Sequence, residues 1–105
     1  MKLALVRGTV VASIKAQGLA ARKLLLLEFV SACDPLKAST GSDVEAQRMF
    51  VAVDLAGAGV GEVVLVAEGS AARIDCDSQS VPTDAAVVAI VDSVQVDSQT
   101  TFTKP

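Results

Sequence analysis

The chain has no histidine, tyrosine or tryptophan, and three phenylalanines are its whole aromatic complement. Without histidine, acid–base catalysis would fall to carboxylates or to a tuned lysine or cysteine. The acids are spread one or two per loop, with no pair placed by spacing, so no enzyme is expected. Single-stranded nucleic acid needs stacking rings and a basic groove, and a net charge of −3 supplies neither. Two cysteines, Cys33 and Cys76, lie far apart without C-x-x-C spacing, which reads as reduced thiols in a reducing compartment. Asp75 and Asp77 flank Cys76 on alternating faces of an extended chain and do not converge on one ion, so no metal is expected. No apolar run approaches the roughly 18 residues of a membrane helix. Arg7 interrupts the N-terminal hydrophobic stretch, so no signal peptide is visible and a cytosolic location is expected.

What the sequence does have is aliphatic bulk. Apolar residues make up 51% of 105 residues, nearly all Val, Leu, Ile and Ala. That length supports one domain with one modest core. Strand-like runs cover Lys2 to Ile14, Arg22 to Ala32, Met49 to Leu55, Glu62 to Glu68 and Ala86 to Val96. In the first, Ala4, Val6, Val10, Ala12 and Ile14 share a face, and Gly8 signals a bulge or a close approach. Gln17-Gly18 marks a loop, Cys33 to Gln47 a polar excursion opened by Asp34-Pro35, and Ser70 to Ile74 one helical turn. The polar segment Asp97 to Pro105 reads as a C-terminal arm, giving a barrel domain over 1–96 and a tail over 97–105. Five short strands, tight glycine turns and one short helix suggest a mostly all-β fold, a small five-stranded OB-like barrel.

The densest signal is Asp54 to Arg73, where Gly57-Ala58-Gly59-Val60-Gly61 leads into a strand that ends in Gly69-Ser70-Ala71-Ala72-Arg73. A dinucleotide loop needs G-x-G-x-x-G opening a helix. Here the spacing is G-x-G-x-G and the next residues, Val63 to Val66, are strand formers. No Lys-Ser or Lys-Thr follows the glycines, so a P-loop fails as well, and no cofactor is expected. Ser70 lacks both the nucleophile elbow and a histidine partner, and suits a turn better. The plain reading of these glycines is a tight strand connection. The sharper one is a loop that packs against a copy of itself.

Several strands are apolar on both faces: Leu24 and Leu26 opposite Leu25 and Leu27, Val63 and Leu65 opposite Val64 and Val66, Val87, Ala89 and Val91 opposite Val88 and Ile90. A lone antiparallel barrel alternates to polar residues outside. Each Val or Leu buried contributes about 1.5–3 kcal/mol, so exposed sets of them favour association with further copies.

Three blocks, VRGTVVASIK at Val6 to Lys15, GAGVGEVVLVAEGSAAR at Gly57 to Arg73 and DAAVVAIVDSVQV at Asp84 to Val96, resemble the EutN/CcmL family of pentameric vertex proteins from bacterial microcompartment shells. The segments Cys33 to Arg48 and the tail after Val96 match poorly. The resemblance implies an OB-like barrel, a homopentamer with a central pore, and hexamer-forming shell proteins as partners, with no membrane or nucleic-acid partner. It also implies that Gly57, Gly59, Gly61, Gly69, Ser70, Ala71, Ala72 and Arg73 lie near the subunit interface or pore. Arg73 would either bridge to a neighbour's carboxylate, with Glu62 and Asp84 as candidates, or simply be solvated. The alternative is a non-catalytic cytosolic adaptor or protein-binding module.

Overall fold

Runs rich in Val and Leu pack best on a pleated surface, and here they form strands. The computed structural model describes residues 1–13, 15, 19, 22–36, 49–73 and 83–105. Among these residues the order is β1 (Lys2–Val10), β2 (Lys23–Phe29), β3 (Met49–Asp54), β4 (Val63–Glu68), a 3-10 turn (Gly69–Arg73), β5 (Ala85–Ile90), β6 (Ser93–Val96) and β7 (Gln99–Thr103). Strands β1 to β5 close into a barrel in the order β1-β2-β3-β5-β4, and β4 pairs back to β1. Neighbours are antiparallel except β3 and β5, which run parallel. This is the expected OB-like barrel, and the expected helical turn is the 3-10 turn. Ile14, Gln17-Gly18 and most of the Cys33 to Gln47 loop lie outside the described residues, as do Ile74 and Cys76 with its flanking aspartates.

A barrel of five strands has room inside for side chains and nothing else. Ala4, Val6, Leu25, Leu27, Ala52, Val64, Val66 and Val87 fill it. The register of β1 against β2 shifts between Val6 and Gly8, leaving Arg7 as the extra residue of a bulge. Beyond the bulge the faces exchange. Val6 lies opposite the core residue Leu27, while Val10 lies opposite Leu24, on the outer side. The simple alternation that puts Val10 with Ala4 and Val6 is therefore corrected, because the extra residue consumes one step of the period. The displaced Arg7 guanidinium donates to the buried Glu28 carboxylate on the adjacent strand.

The C-terminal region also differs from its sequence pattern. The expected strand from Ala86 to Val96 breaks after Ile90, and its second part becomes β6 of a separate hairpin. The expected arm is β7, paired with β6 across a turn in which Asp97 and Ser98 take φ of 50° and 65°. Two consecutive left-handed residues are what a two-residue hairpin turn demands. Phe102 holds this hairpin down. It is buried with Leu5 and Val63 on the outside of the barrel, ringed by Leu3, Val30, Val91 and Val94. Burying such a ring is worth roughly 1.5–3 kcal/mol, enough to dock an otherwise polar strand. Val63, whose outward position suggested contact with another copy, is thus covered by this chain's own C-terminal strand.

Candidate functional site

Strand β3 ends at Asp54, whose Oδ1 accepts the amides of Ala56 and Gly57, each at 3.0 Å. This side-chain turn redirects the chain across the end of the barrel. Gly57 and Gly61 then take φ of 79° and 92°, a region that L residues avoid. Between them Ala58 drops into the barrel core with no exposed surface, so the first glycine turn is a lid. Lys23 Nζ donates to the Ala58 carbonyl at 2.9 Å, and the Gly61 amide donates to the Val6 carbonyl at 2.9 Å. The one large apolar side chain this lid turns outward is Val60, 66% exposed.

Glu62 ties the lid to the C-terminus. Its Oε1 accepts the Gly59 amide at 2.7 Å, and its Oε2 lies 3.0 Å from Lys104 Nζ. The Gly59 N–H is the main cause that holds the Glu62 carboxyl below its usual range, with Lys104 next. The Lys104 amide in turn donates to the Asp92 carbonyl at 2.7 Å. Sequence spacing could not show this clasp, because Lys104 and Glu62 are brought together only by the docked hairpin. It also engages Glu62, one of the two carboxylates named for Arg73, within its own chain.

The second turn lies at the other end of β4. Gly69, at φ 68°, donates its amide to the Asp84 carbonyl at 2.9 Å. Ala72 is buried, whereas Ser70 and Ala71 are exposed. Arg73 ends the 3-10 turn, and its side chain lies outside the described residues. Six residues of strand span about 17–20 Å. The eight residues singled out from the sequence therefore form two separate groups at opposite ends of the barrel, not one cluster. The sequence gives no sign of what stands beside the second group. Phe29 and Phe50 stack with centroids 4.2 Å apart, and Lys2 Nζ sits 4.8 Å above the Phe29 ring while pairing with Glu68 at 3.5 Å. Among the described residues no three of His, Cys, Asp and Glu gather as metal ligands. Among the described residues nothing in either group places a nucleophile beside a base. What the two groups present at the surface is small residues and backbone.

The chain is similar to several known proteins. The family described as ethanolamine utilisation protein EutN/carboxysome matches residues 1–92. The carboxysome shell vertex protein CcmL of Synechococcus elongatus is 40% identical over 104 residues, covering 99% of this chain and 96% of the relative. PduN of Salmonella typhimurium, a bacterial microcompartment shell vertex protein, is 47% identical over 94 residues, covering 90% of this chain and 98% of its own. Among solved structures, the GrpN pentameric microcompartment shell protein from Rhodospirillum rubrum superposes with a TM-score of 0.71 at 40% identity, covering 91% of this chain and 99% of that one. The match extends over the barrel and both glycine turns, and the chain belongs to the EutN/CcmL family.

Proposed function

We infer that this chain is a structural, non-catalytic shell protein of a bacterial microcompartment, whose pentamers cap the fivefold vertices of a polyhedral shell. The observation that carries the reading is likeness along nearly the full chain to vertex proteins of both carboxysomes and other microcompartments. A flat layer of sixfold units cannot close, so a shell needs a fivefold unit wherever it curves. A cyclic ring joins one surface of each subunit to a different surface of the next. Outward-facing Val and Leu on a barrel this small suit that use, and the adaptor reading has no comparable support. The proposed partners are further copies of this chain and the hexamer-forming proteins of the same shell, inside the bacterial cytoplasm. The two turns, Gly57 to Gly61 and Gly69 to Arg73, are proposed to lie near the subunit contacts or the fivefold axis. Their position at both ends of β4 then requires that strand to run alongside the contact.

Native mass spectrometry of the purified protein tests the assembly directly. A species of five times the subunit mass is expected, and a dimer or hexamer would sink the vertex reading. For the first turn, Gly59→Val is expected to give monomers or aggregates. A normal pentamer from that variant would remove Gly59 from the contact.

A further inference from the structure

Strands β6 and β7 form a two-stranded sheet of their own, and among the described residues no ladder pairs either of them with the barrel. The backbone tie just before them is the Val91 amide, which donates to the Val63 carbonyl at 2.8 Å. From Asp92 onward the hairpin is fastened by side chains. Phe102 fills the recess of Leu5 and Val63, Thr101 Oγ1 donates to the Ala32 carbonyl at 2.5 Å, and Lys104 Nζ meets Glu62. None of the residues that fill the barrel interior comes from β6 or β7, so the interior stays packed whether or not the hairpin is docked. A two-stranded hairpin is marginal in water by itself, and this one holds Asp97 and Ser98 at left-handed φ without glycine. Undocking and unpairing are therefore one event: once Phe102 leaves its recess, little keeps the two strands together.

We propose that β6 and β7 are a strap, hinged at Asp92, that opens as a unit while the barrel stays shut. Closed, it hides an apolar recess on the outside of β1 and β4, made by Leu5 and Val63 with Leu3 and Val30 beside them. Open, it uncovers that recess and takes Lys104 away from Glu62. Phe102 is the main fastening because its ring is buried, whereas the Glu62–Lys104 pair is partly exposed and such a pair adds little. Glu62 holds the Gly59 amide without help from the strap, so the first glycine turn stays folded in both states. The strap is a property of the single chain and does not depend on the vertex reading.

Native-state hydrogen exchange of the purified, assembled protein, followed at urea concentrations too low to unfold it, is the first test. The hydrogen-bonded amides of β6 and β7 are expected to exchange at least about tenfold faster than those of β2 and β3 and to respond little to urea. Hairpin amides that share the protection and the urea slope of β2 and β3 overturn the proposal, since the hairpin would then open only with the whole barrel. Phe102→Ala is the second test. It is expected to keep its strand circular-dichroism spectrum while binding at least about threefold more of an anilinonaphthalene dye, which reports exposed apolar surface. Phe102→Leu, which refills part of the recess, is expected to fall between that variant and the wild type. A Phe102→Ala chain that loses its strand spectrum, or that binds no more dye than the wild type, overturns the strap.

Discussion

The turns before and after β4 both begin with a left-handed glycine and both bury one alanine, yet they are fastened to the barrel by different means. In the first, Ala58 is part of the core, and Lys23, Val6 and the Glu62–Lys104 pair hold the loop from three other elements. In the second, Gly69 is joined to Asp84, and Ser70 and Ala71 stand free of the core. The first turn needs its glycines to close its own barrel. A neighbouring copy is not required to explain Gly57 or Gly61, so any role in assembly there falls on Gly59 and the exposed Val60. The second turn, with its small exposed residues, has more of its surface left to give to a partner.

The comparison breaks most readily at the alanines. Ala58→Asp puts a carboxylate into the barrel core and is expected to cost about 3 kcal/mol or more, whereas Ala71→Asp should stay within about 0.5 kcal/mol. Urea unfolding of the two variants decides it, and equal losses would mean that the turns are not fastened differently. A smaller effect separates glycines inside the first turn. A Cβ at Gly61 meets no atom within 4 Å, so the loss expected for Gly61→Ala, about 1–2 kcal/mol, is purely torsional. At Gly59 φ is not left-handed and a Cβ would sit 3.5 Å from Glu62 Oε1, an ordinary contact. Gly59→Ala should therefore change unfolding by less than about 0.5 kcal/mol, and any larger effect should appear in assembly.

The hairpin turn sharpens the contrast from outside, because it uses left-handed torsions without glycine. Ser98→Gly is expected to stabilise the protein by about 0.5–1 kcal/mol, seen as a raised thermal midpoint. The smallest effect is electrostatic. Glu62 has a folded-state pKa below its ordinary value, so its contribution is present above that ordinary value and is lost as the pH falls through the folded one. Lys104→Ala should make the acid side of a stability–pH profile shallower without abolishing its slope, since the Gly59 amide remains the larger cause. An unchanged profile would show that the clasp has no weight in solution.

Local signals made most of the barrel legible. Val- and Leu-rich runs bounded by turn residues placed β2, β3 and β4 to within a few residues. Gly8 announced the bulge, but only the pairing with β2 shows that Arg7 is the extra residue and that Val10 turns outward. The hairpin was hidden for a different reason. Its turn lacks the Asn-Gly or Asp-Gly signature, and β7 has Phe102 as its one apolar anchor in a polar run. Whether a lone phenylalanine docks depends on a hydrophobic recess made by Leu5 and Val63, residues distant in sequence. The two glycine turns are legible as turns at either end of one strand, while the pairing of that strand with β1 over Val63 to Val66 and with β5 over Val64 to Glu68 is visible only in the closed barrel.

The parallel pairing of β3 with β5 carries a consequence for the order in which shells are built. That ladder holds two register pairs, Val53 with Ala86 and Asp54 with Val87, against six between β2 and β3. It joins strands separated by all of β4 and the second turn, so closing it carries more loop entropy than pairing neighbours in sequence does. Until that seam shuts, β3 and β5 each present an open edge, the kind of edge that recruits strands from other chains indiscriminately. Subunits meeting at that stage would join by the wrong surface. A barrel that closes before it meets its neighbours avoids that error, so a weakened β3–β5 seam is expected to show as misassembly.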